Sequence, residues 1–397
     1  MTSSIIPETY EGREQAMVKH ALLKSYLEKL VLIIGMGAKK AGHAEICFVD
    51  CFAGPWGALN DDLEGTSISL SLKTLAACKE KLATLGVDVN MRALYIEKDK
   101  GAFERLSAFL GLKAPPTVDQ ACLHGDFVDL REDILKWCGT SAFTFFFVDP
   151  KGWKDIGIEI MKPLLQRPRS EFLINFAYNF INRTASMTAW QDAMVKLLGS
   201  SVNLDGLQSA EREEALVNAY RSSLKACVPS SRPEYRARSA YVTVLDPLHQ
   251  RTKYHLVYLT SHPMGIIEFM DMSEKADLVQ RRVRAAKKID VREQKTGITD
   301  MFGIEPQTEP IDGHCSPDEV DAFWQRSLAA GDRRIGTAEF ADILEATNWL
   351  PGELQSSLVR LVKAGMVRNL DADASKRRSK PLHFEKAERL QLMQHLD

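Results

Sequence analysis

Ile46-Cys47-Phe48-Val49, followed by Asp50-Cys51-Phe52-Ala53-Gly54-Pro55-Trp56-Gly57, is the stretch on which the fold turns. An apolar run without a polar residue reads as a strand buried on both faces. It ends in an acid and breaks into a small loop whose glycines let a ligand approach the backbone. The pattern recurs twice: Ala93-Leu94-Tyr95-Ile96 stops at Glu97, and Phe143-Thr144-Phe145-Phe146-Phe147-Val148 stops at Asp149-Pro150. Acids at the ends of three apolar strands mark one common edge, where open α/β sheets take up nucleotides.

Helices are predicted between these strands. Apolar residues recur at helical spacing over 13–34, which predicts an amphipathic lead-in helix. Thr66 or Ser67 can cap a helix through Leu70, Leu72, Leu75 and Ala76. A helix through Phe103, Leu106 and Leu110 is expected to stop at Gly111, before Pro115-Pro116. A short strand at 118–123 leads into His124-Gly125-Asp126-Phe127, a helix passes through Ile134 and Trp137, and another spans 158–165. Residues 171–176 read as a fifth strand. Alternation at this pace predicts a mostly parallel, Rossmann-like sheet covered on both faces. The polar, helical 184–238 reads as an insertion or lid, and 240–245 with 254–260 as an antiparallel pair closing the sheet.

This first unit is assigned to 1–295, with a linker at 296–317 rich in Gly, Pro and acids. In 318–397 a capped helix at 337–344 and a helix opened by Pro351-Gly352-Glu353 precede strands at 366–370 and 381–384. Those strands flank Lys376-Arg377-Arg378, so the layout is that of a winged helix with a basic tip.

Composition narrows the class. The chain has 397 residues, 45% hydrophobic and 26% charged, with a net charge of −2, so nucleic-acid contact would have to come from local patches. The Arg281, Arg282, Arg284 and Lys287 run is one such patch, and Lys376, Arg377 and Arg378 another. Seven scattered cysteines without Cys-x-x-Cys spacing suit reduced thiols in the cytosol. Residues 1–13 do not resemble a signal peptide, and 30–37 is too short to span a bilayer, so a cytoplasmic protein without membrane contact is expected. No histidine pair has ligand spacing, and no metal is expected.

The loop at 50–57 lacks the Gly-x-Gly-x-x-Gly spacing that presents amides to a pyrophosphate, and its next helix start lies eight residues beyond Gly57. It suits an adenosine with an amino-acid tail, which points to S-adenosylmethionine. Asp50 would attract the ammonium, and Ala53 and Gly54 would line the approach. Glu97 would accept from the ribose hydroxyls, and Asp126 with Phe127 would hold the base. Asp149 and Pro150 would serve the acceptor, with Trp153 to stack on it. Asn175, Tyr178 and Arg183 would line the substrate side, or form a buried polar layer.

These residues resemble the three-Cys-motif partner protein family. The resemblance rests on Asp50 to Pro55, Gly65-Thr66-Ser67, Val148-Asp149-Pro150-Lys151-Gly152-Trp153-Lys154, Leu173 to Tyr178 with Asn182-Arg183, and Leu259 to Gly265. It covers about residues 15–275. It implies a class I methyltransferase-like Rossmann domain, a C-terminal winged helix, and a radical-enzyme-like protein partner bearing three cysteines. Trp56 and Lys151 depart from the family pattern, the first crowding the loop and the second adding a cation near Asp149. The function expected is methyl transfer from S-adenosylmethionine to nucleic acid or a nucleic-acid-associated target. The alternative is a non-catalytic binding module.

Overall fold

The computed structural model describes residues 6–54, 63, 65–230, 235–296, 315–372 and 379–393. Trp56, most of the 296–317 linker, and Lys376, Arg377 and Arg378 lie outside the described residues.

The lead-in helix α1 (Glu14–Ala41) runs two turns past its expected end. Gly35, a helix breaker by propensity, is there a contact residue: a Cβ on it would lie 2.4 Å from Leu82 Cδ1. The alternation that follows is β1 (Ala44–Asp50), α2 (Ser67–Thr84), β2 (Val89–Glu97), α3 (Lys100–Lys113), β3 (Asp119–His124), α4 (Arg131–Cys138), β4 (Phe143–Val148), α5 (Ile158–Leu165) and β5 (Ser170–Phe176). Thr66 caps α2, its side chain accepting from Ser69 N–H.

Helices α6 (Tyr178–Ala185), α7 (Gln191–Leu198) and α8 (Ser209–Cys227) then lead to β6 (Arg238–Leu245) and β7 (Thr252–Thr260). The sheet order is β3-β2-β1-β4-β5-β7-β6, with β1 to β5 parallel and β7 antiparallel to both β5 and β6. This is a mostly parallel, Rossmann-like α/β sheet closed by an antiparallel pair. Strand order reverses beside β1, which opens a crevice at the carboxyl ends of the strands.

Side chains alternate across the central strands and feed two cores. Phe48, Tyr95, Phe145 and Phe147 pack toward α1 and α2, while Val49, Ile96, Phe146 and Val148 pack toward the opposite face. Helix α8 belongs to that second core, with Tyr220 stacked on Phe176 at 4.9 Å, so this part of the expected lid is a structural layer.

The long α9 (Pro263–Thr296) returns along α1. Its basic run is largely committed within the protein. Arg281 pairs with Asp277 at 2.7 Å, Lys287 with Glu14 at 2.7 Å, and Arg284 donates to Gln250 at 2.5 Å; Arg282 is exposed. The expected patch is therefore mostly an intramolecular brace.

The C-terminal unit comprises α10 (Pro317–Leu328), β8 (Arg333–Ile335), α11 (Thr337–Thr347), α12 (Pro351–Lys363), β9 (Val367–Asn369) and β10 (Glu388–Leu392). Its antiparallel sheet has the order β8-β10-β9. The strand expected at 381–384 is instead an irregular segment that runs into a 3-10 turn at Phe384–Lys386. The Leu382 amide and carbonyl bond the Gln355 side chain, and Phe384 stacks on Phe340 at 4.6 Å, so apolar alternation there reflects docking.

This unit covers the open edge of β6. Asn348 accepts from Tyr241 N–H at 3.0 Å and donates to the Tyr241 carbonyl at 2.9 Å, mimicking a further strand. Glu345 accepts from Ser239 N–H at 3.1 Å and pairs with Lys225 at 2.8 Å and Arg236 at 2.7 Å. Glu345→Ala is expected to cost about 2–4 kcal/mol and Asn348→Ala about 1–2 kcal/mol, measured by urea unfolding. Losses below about 0.5 kcal/mol in both would mean that the edge is sealed by other contacts.

Candidate functional site

Two backbone bonds shape the loop after β1. Cys51 N–H donates to the Phe147 carbonyl at 2.9 Å, and Ala53 N–H crosses to the Ile96 carbonyl at 2.8 Å. The chain thus leaves β4 and leans over β2. A cleft of about 600 Å³ opens there, lined by Phe52, Gly54, Glu97, Asp126, Phe127, Asp149, Trp153 and Phe180 among others.

Glu97 is buried at the end of β2. One carboxylate oxygen accepts from Asp99 N–H at 2.6 Å, and the other has no hydrogen-bond partner among the described residues. A buried oxygen left in that state costs free energy, so it marks a place where a ligand donor fits. Asp126 accepts from Val128 N–H at 2.9 Å and lies 3.8 Å from Lys98 Nζ. Phe127 packs on Phe52, ring centroids 5.0 Å apart, and the pair forms an apolar wall.

Asp149 faces this wall from the end of β4. One oxygen accepts from Asn175 Nδ2 at 2.7 Å and the other is ion-paired with Lys19. Lys19 comes from α1, 130 residues away in sequence. Nothing in the local sequence pairs it with Asp149; only its place on the lead-in helix could have drawn notice. The cation at Asp149 is thus Lys19, whereas Lys151 lines the cleft elsewhere. Next to Lys19, His20 is held neutral, its pKa lowered to about 3 by burial and then by the Lys19 charge. Its Nδ1 is 3.0 Å from the Tyr10 hydroxyl.

Several expected residues sit elsewhere. The Asp50 side chain is absent from the cleft wall. It is fully buried and accepts from Ser67 Oγ at 2.6 Å and Phe52 N–H at 3.1 Å, so it braces the loop from beneath. Burial pushes its pKa up to about 7, against the lowering by Ser67 and Phe52. Ala53 is buried and contributes its backbone, and Pro150 is buried. Trp153 reaches the cleft but packs edge-on against Trp190, ring centroids 5.8 Å apart, and Phe180 is the exposed aromatic at the rim. Asn175 acts through Asp149, Tyr178 lines a different cavity, and Arg183 folds back on Asn179 and Phe180.

The cleft mixes five acids, Glu97, Asp99, Asp126, Asp149 and Asp155, with Lys98, Lys151 and Lys154. Such a wall repels a polyphosphate and suits a zwitterion or a cation. Among the described residues no cluster of His, Cys, Asp or Glu is arranged to hold a metal ion, and no helix is long and apolar enough to cross a membrane. All seven cysteines are free thiols.

No family model and no curated relative matches the chain. Among solved structures it is similar to a protein of Porphyromonas gingivalis W83 provisionally described as a methyltransferase, at 12% identity and TM-score 0.26, covering 58% of this chain and 40% of that one. It is also similar to protein LPL1258 of Legionella pneumophila str. Philadelphia 1, at 11% identity and TM-score 0.34 over 67% and 90% of the two chains. Loganic acid methyltransferase with SAH aligns at 10% identity and TM-score 0.28 over 100% and 99%. The chain therefore spans less than half the length of the Porphyromonas protein, and likenesses this loose assign no reaction. The class rests on the sheet itself: an α/β protein with a mostly parallel sheet in the order β3-β2-β1-β4-β5-β7-β6 and a polar cleft at its switch point.

Asp50 gives a pH signature. A carboxyl whose pKa is raised on folding contributes stability that is fully present below about pH 4 and lost as pH rises through about 7. Asp50→Asn is expected to flatten the fall in unfolding free energy over that window, by up to about 1.4 kcal/mol per pH unit, in urea titrations. An unchanged slope would mean that Asp50 is ionised in the folded protein.

Proposed function

We propose that the cleft binds S-adenosylmethionine and that the protein transfers its methyl group to a nitrogen or oxygen acceptor. The observation that carries this reading is the buried, unpartnered carboxylate oxygen of Glu97, a residue that lines the cleft at the sheet's switch point together with Asp149. Glu97 would accept from the ribose hydroxyls, Phe52 and Phe127 would cover the adenine, and Asp126 would accept from its amino group. Gly54 would let the loop close on the methionine moiety, and Asp50 would hold that loop in place. Bound S-adenosylmethionine supplies an electrophilic methyl group that needs orientation and little activation. Asp149 would orient the acceptor and draw its proton, while Asn175 and Lys19 fix the carboxylate's direction.

The order of the C-terminal unit, α11 and α12 and then the antiparallel β9 and β10, would fit a winged helix, and through it a nucleic-acid or nucleic-acid-associated target. The internal pairing of Arg281, Arg284 and Lys287 argues against α9 as the main contact. The three-Cys-motif resemblance adds a radical-enzyme-like protein partner as a second candidate for that unit.

A non-catalytic reading is favoured by one observation, the Lys19–Asp149 ion pair, which neutralises the carboxylate offered to the acceptor. In that case the cleft holds a ligand without turnover. Calorimetry with S-adenosylmethionine is the first test. Wild type is expected to bind, Gly54→Arg to lose binding, and Glu97→Ala to weaken it about 30-fold, roughly 2 kcal/mol. A folded wild type that does not bind would overturn the cofactor assignment. Labelled-methyl transfer to DNA, RNA and lysate protein then separates the two readings. Asp149→Ala should lose transfer while keeping cofactor affinity, and Lys19→Met should change transfer without abolishing binding. Binding with no transfer to any acceptor would favour the non-catalytic module.

A further inference from the structure

A second cavity, of about 880 Å³, lies where β6 and β7 meet α6, α8, α9 and the C-terminal unit. It is distinct from the cleft, with α6 between them presenting Phe180 to one and Tyr178 to the other. Behind its wall sits His255, 1% exposed, with Nε2 3.1 Å from Glu213 Oε1 and Nδ1 3.1 Å from Thr243 Oγ1. Two tyrosines flank the imidazole, Tyr178 at 5.4 Å and Tyr241 at 5.0 Å between ring centroids.

The polar groups around this core are not all satisfied by the protein. Tyr178 is 5% exposed, and its hydroxyl is buried without an aligned hydrogen-bond partner among the described residues. Burial, and then the Glu213 charge, push its pKa up to about 12, so it remains a donor. Burial also pushes Glu213 upward, but His255, together with the Thr252 and Tyr178 hydroxyls close to it, outweighs burial and holds the carboxyl below its ordinary value. Glu214 and Glu319 add negative charge to the wall, whereas the Asp277 carboxylate is paired with Arg281 at 2.7 Å. The lining cation, Arg251, is turned onto Asp246 at 2.9 Å. Trp349 of the C-terminal unit completes the lining with a large aromatic surface.

We propose that this cavity is a binding site for a small organic cation, an aromatic or flat ring carrying a protonated amine. The volume is that of a small-molecule site, the carboxylates supply a negative field in a partly desolvated space, and aromatic faces attract a cation. The amine would donate to Glu213, the Tyr178 hydroxyl would bond the ligand's polar edge, and the ring would lie among Tyr178, Tyr241 and Trp349. An anion would meet the carboxylates. A neutral ring would gain the packing without the charge. The site stands whether or not the cleft binds S-adenosylmethionine, since it uses none of the same side chains.

The test is calorimetric titration of the full-length protein near neutral pH with benzylamine, benzyl alcohol and benzoate, together with tryptophan fluorescence. Benzylamine is expected to bind saturably and at least about tenfold more tightly than either analogue. Glu213→Gln should weaken it about tenfold and Tyr178→Phe about threefold, and Trp349→Phe should remove the fluorescence response. No saturable benzylamine binding up to about 10 mM, or equal affinity for all three probes, would overturn the proposal. So would benzylamine affinity unmoved by both Glu213→Gln and Tyr178→Phe. If Glu213→Gln does not fold, Glu214→Gln replaces it with the same expected direction, and an unchanged affinity there counts against the site. S-adenosylmethionine titrations on the same samples keep the two questions apart. Failure here with cofactor binding intact removes only the cation site.

Discussion

Strand β1 ends between two neighbours that hold its continuation in opposite directions. The Cys51 amide stays on β4 through the Phe147 carbonyl, and two residues later the Ala53 amide has crossed to β2 through the Ile96 carbonyl. That crossing exists because strand order reverses at β1, leaving both flanking carbonyls to be met by one loop. It opens the space between Glu97 and Asp149. Asp50 then turns beneath the loop, where Ser67 from the next helix and Phe52 from the loop itself take its lone pairs. A carboxyl in that position works as a brace, and its elevated pKa records how dry the position is.

The lead-in helix has more to do with the site than its position before the sheet suggests. It buries one face against α2 and α9, and from that fixed seat sends Lys19 to the carboxylate of Asp149. His20, beside it, is kept neutral by the same burial. A cation held by a rigid helix orients a carboxylate more strictly than a mobile surface lysine could. It also lowers the net charge offered to an acceptor, which is why transfer and binding must be measured separately.

The C-terminal unit is joined to the sheet as a structural part. The larger apolar core runs from the sheet face through α9 into Trp324, Phe340 and Leu354 without interruption. Asn348 and Glu345 satisfy backbone groups of β6 that would otherwise form an unpaired edge. The same contact builds one wall of the second cavity. Any ligand or partner that moves this unit therefore acts on the sheet edge directly.

The strands of the large sheet, their order along the chain and the acids at the ends of β1, β2 and β4 were legible in the chain because buried parallel strands must be apolar throughout and must stop at polar residues. Glu97, Asp126, Phe127 and Asp149 could be found that way, and they do meet in one cleft. Which way a side chain turns at a strand end is not written locally. Asp50 points beneath its loop, Trp153 packs on Trp190, and Tyr178 faces another cavity, each decided by neighbours distant in sequence. The α9 cations read as a surface run because Glu14 and Gln250 approach only after folding. The 381–384 segment alternates like a strand because docking against Gln355 and Phe340 imposes a similar burial pattern. Hydrophobic periodicity determined the sheet; the pairing of distant charges, Lys19 with Asp149 above all, was settled by the tertiary structure, since Coulomb and hydrogen-bond partners depend on distance in space and leave no periodic trace in sequence.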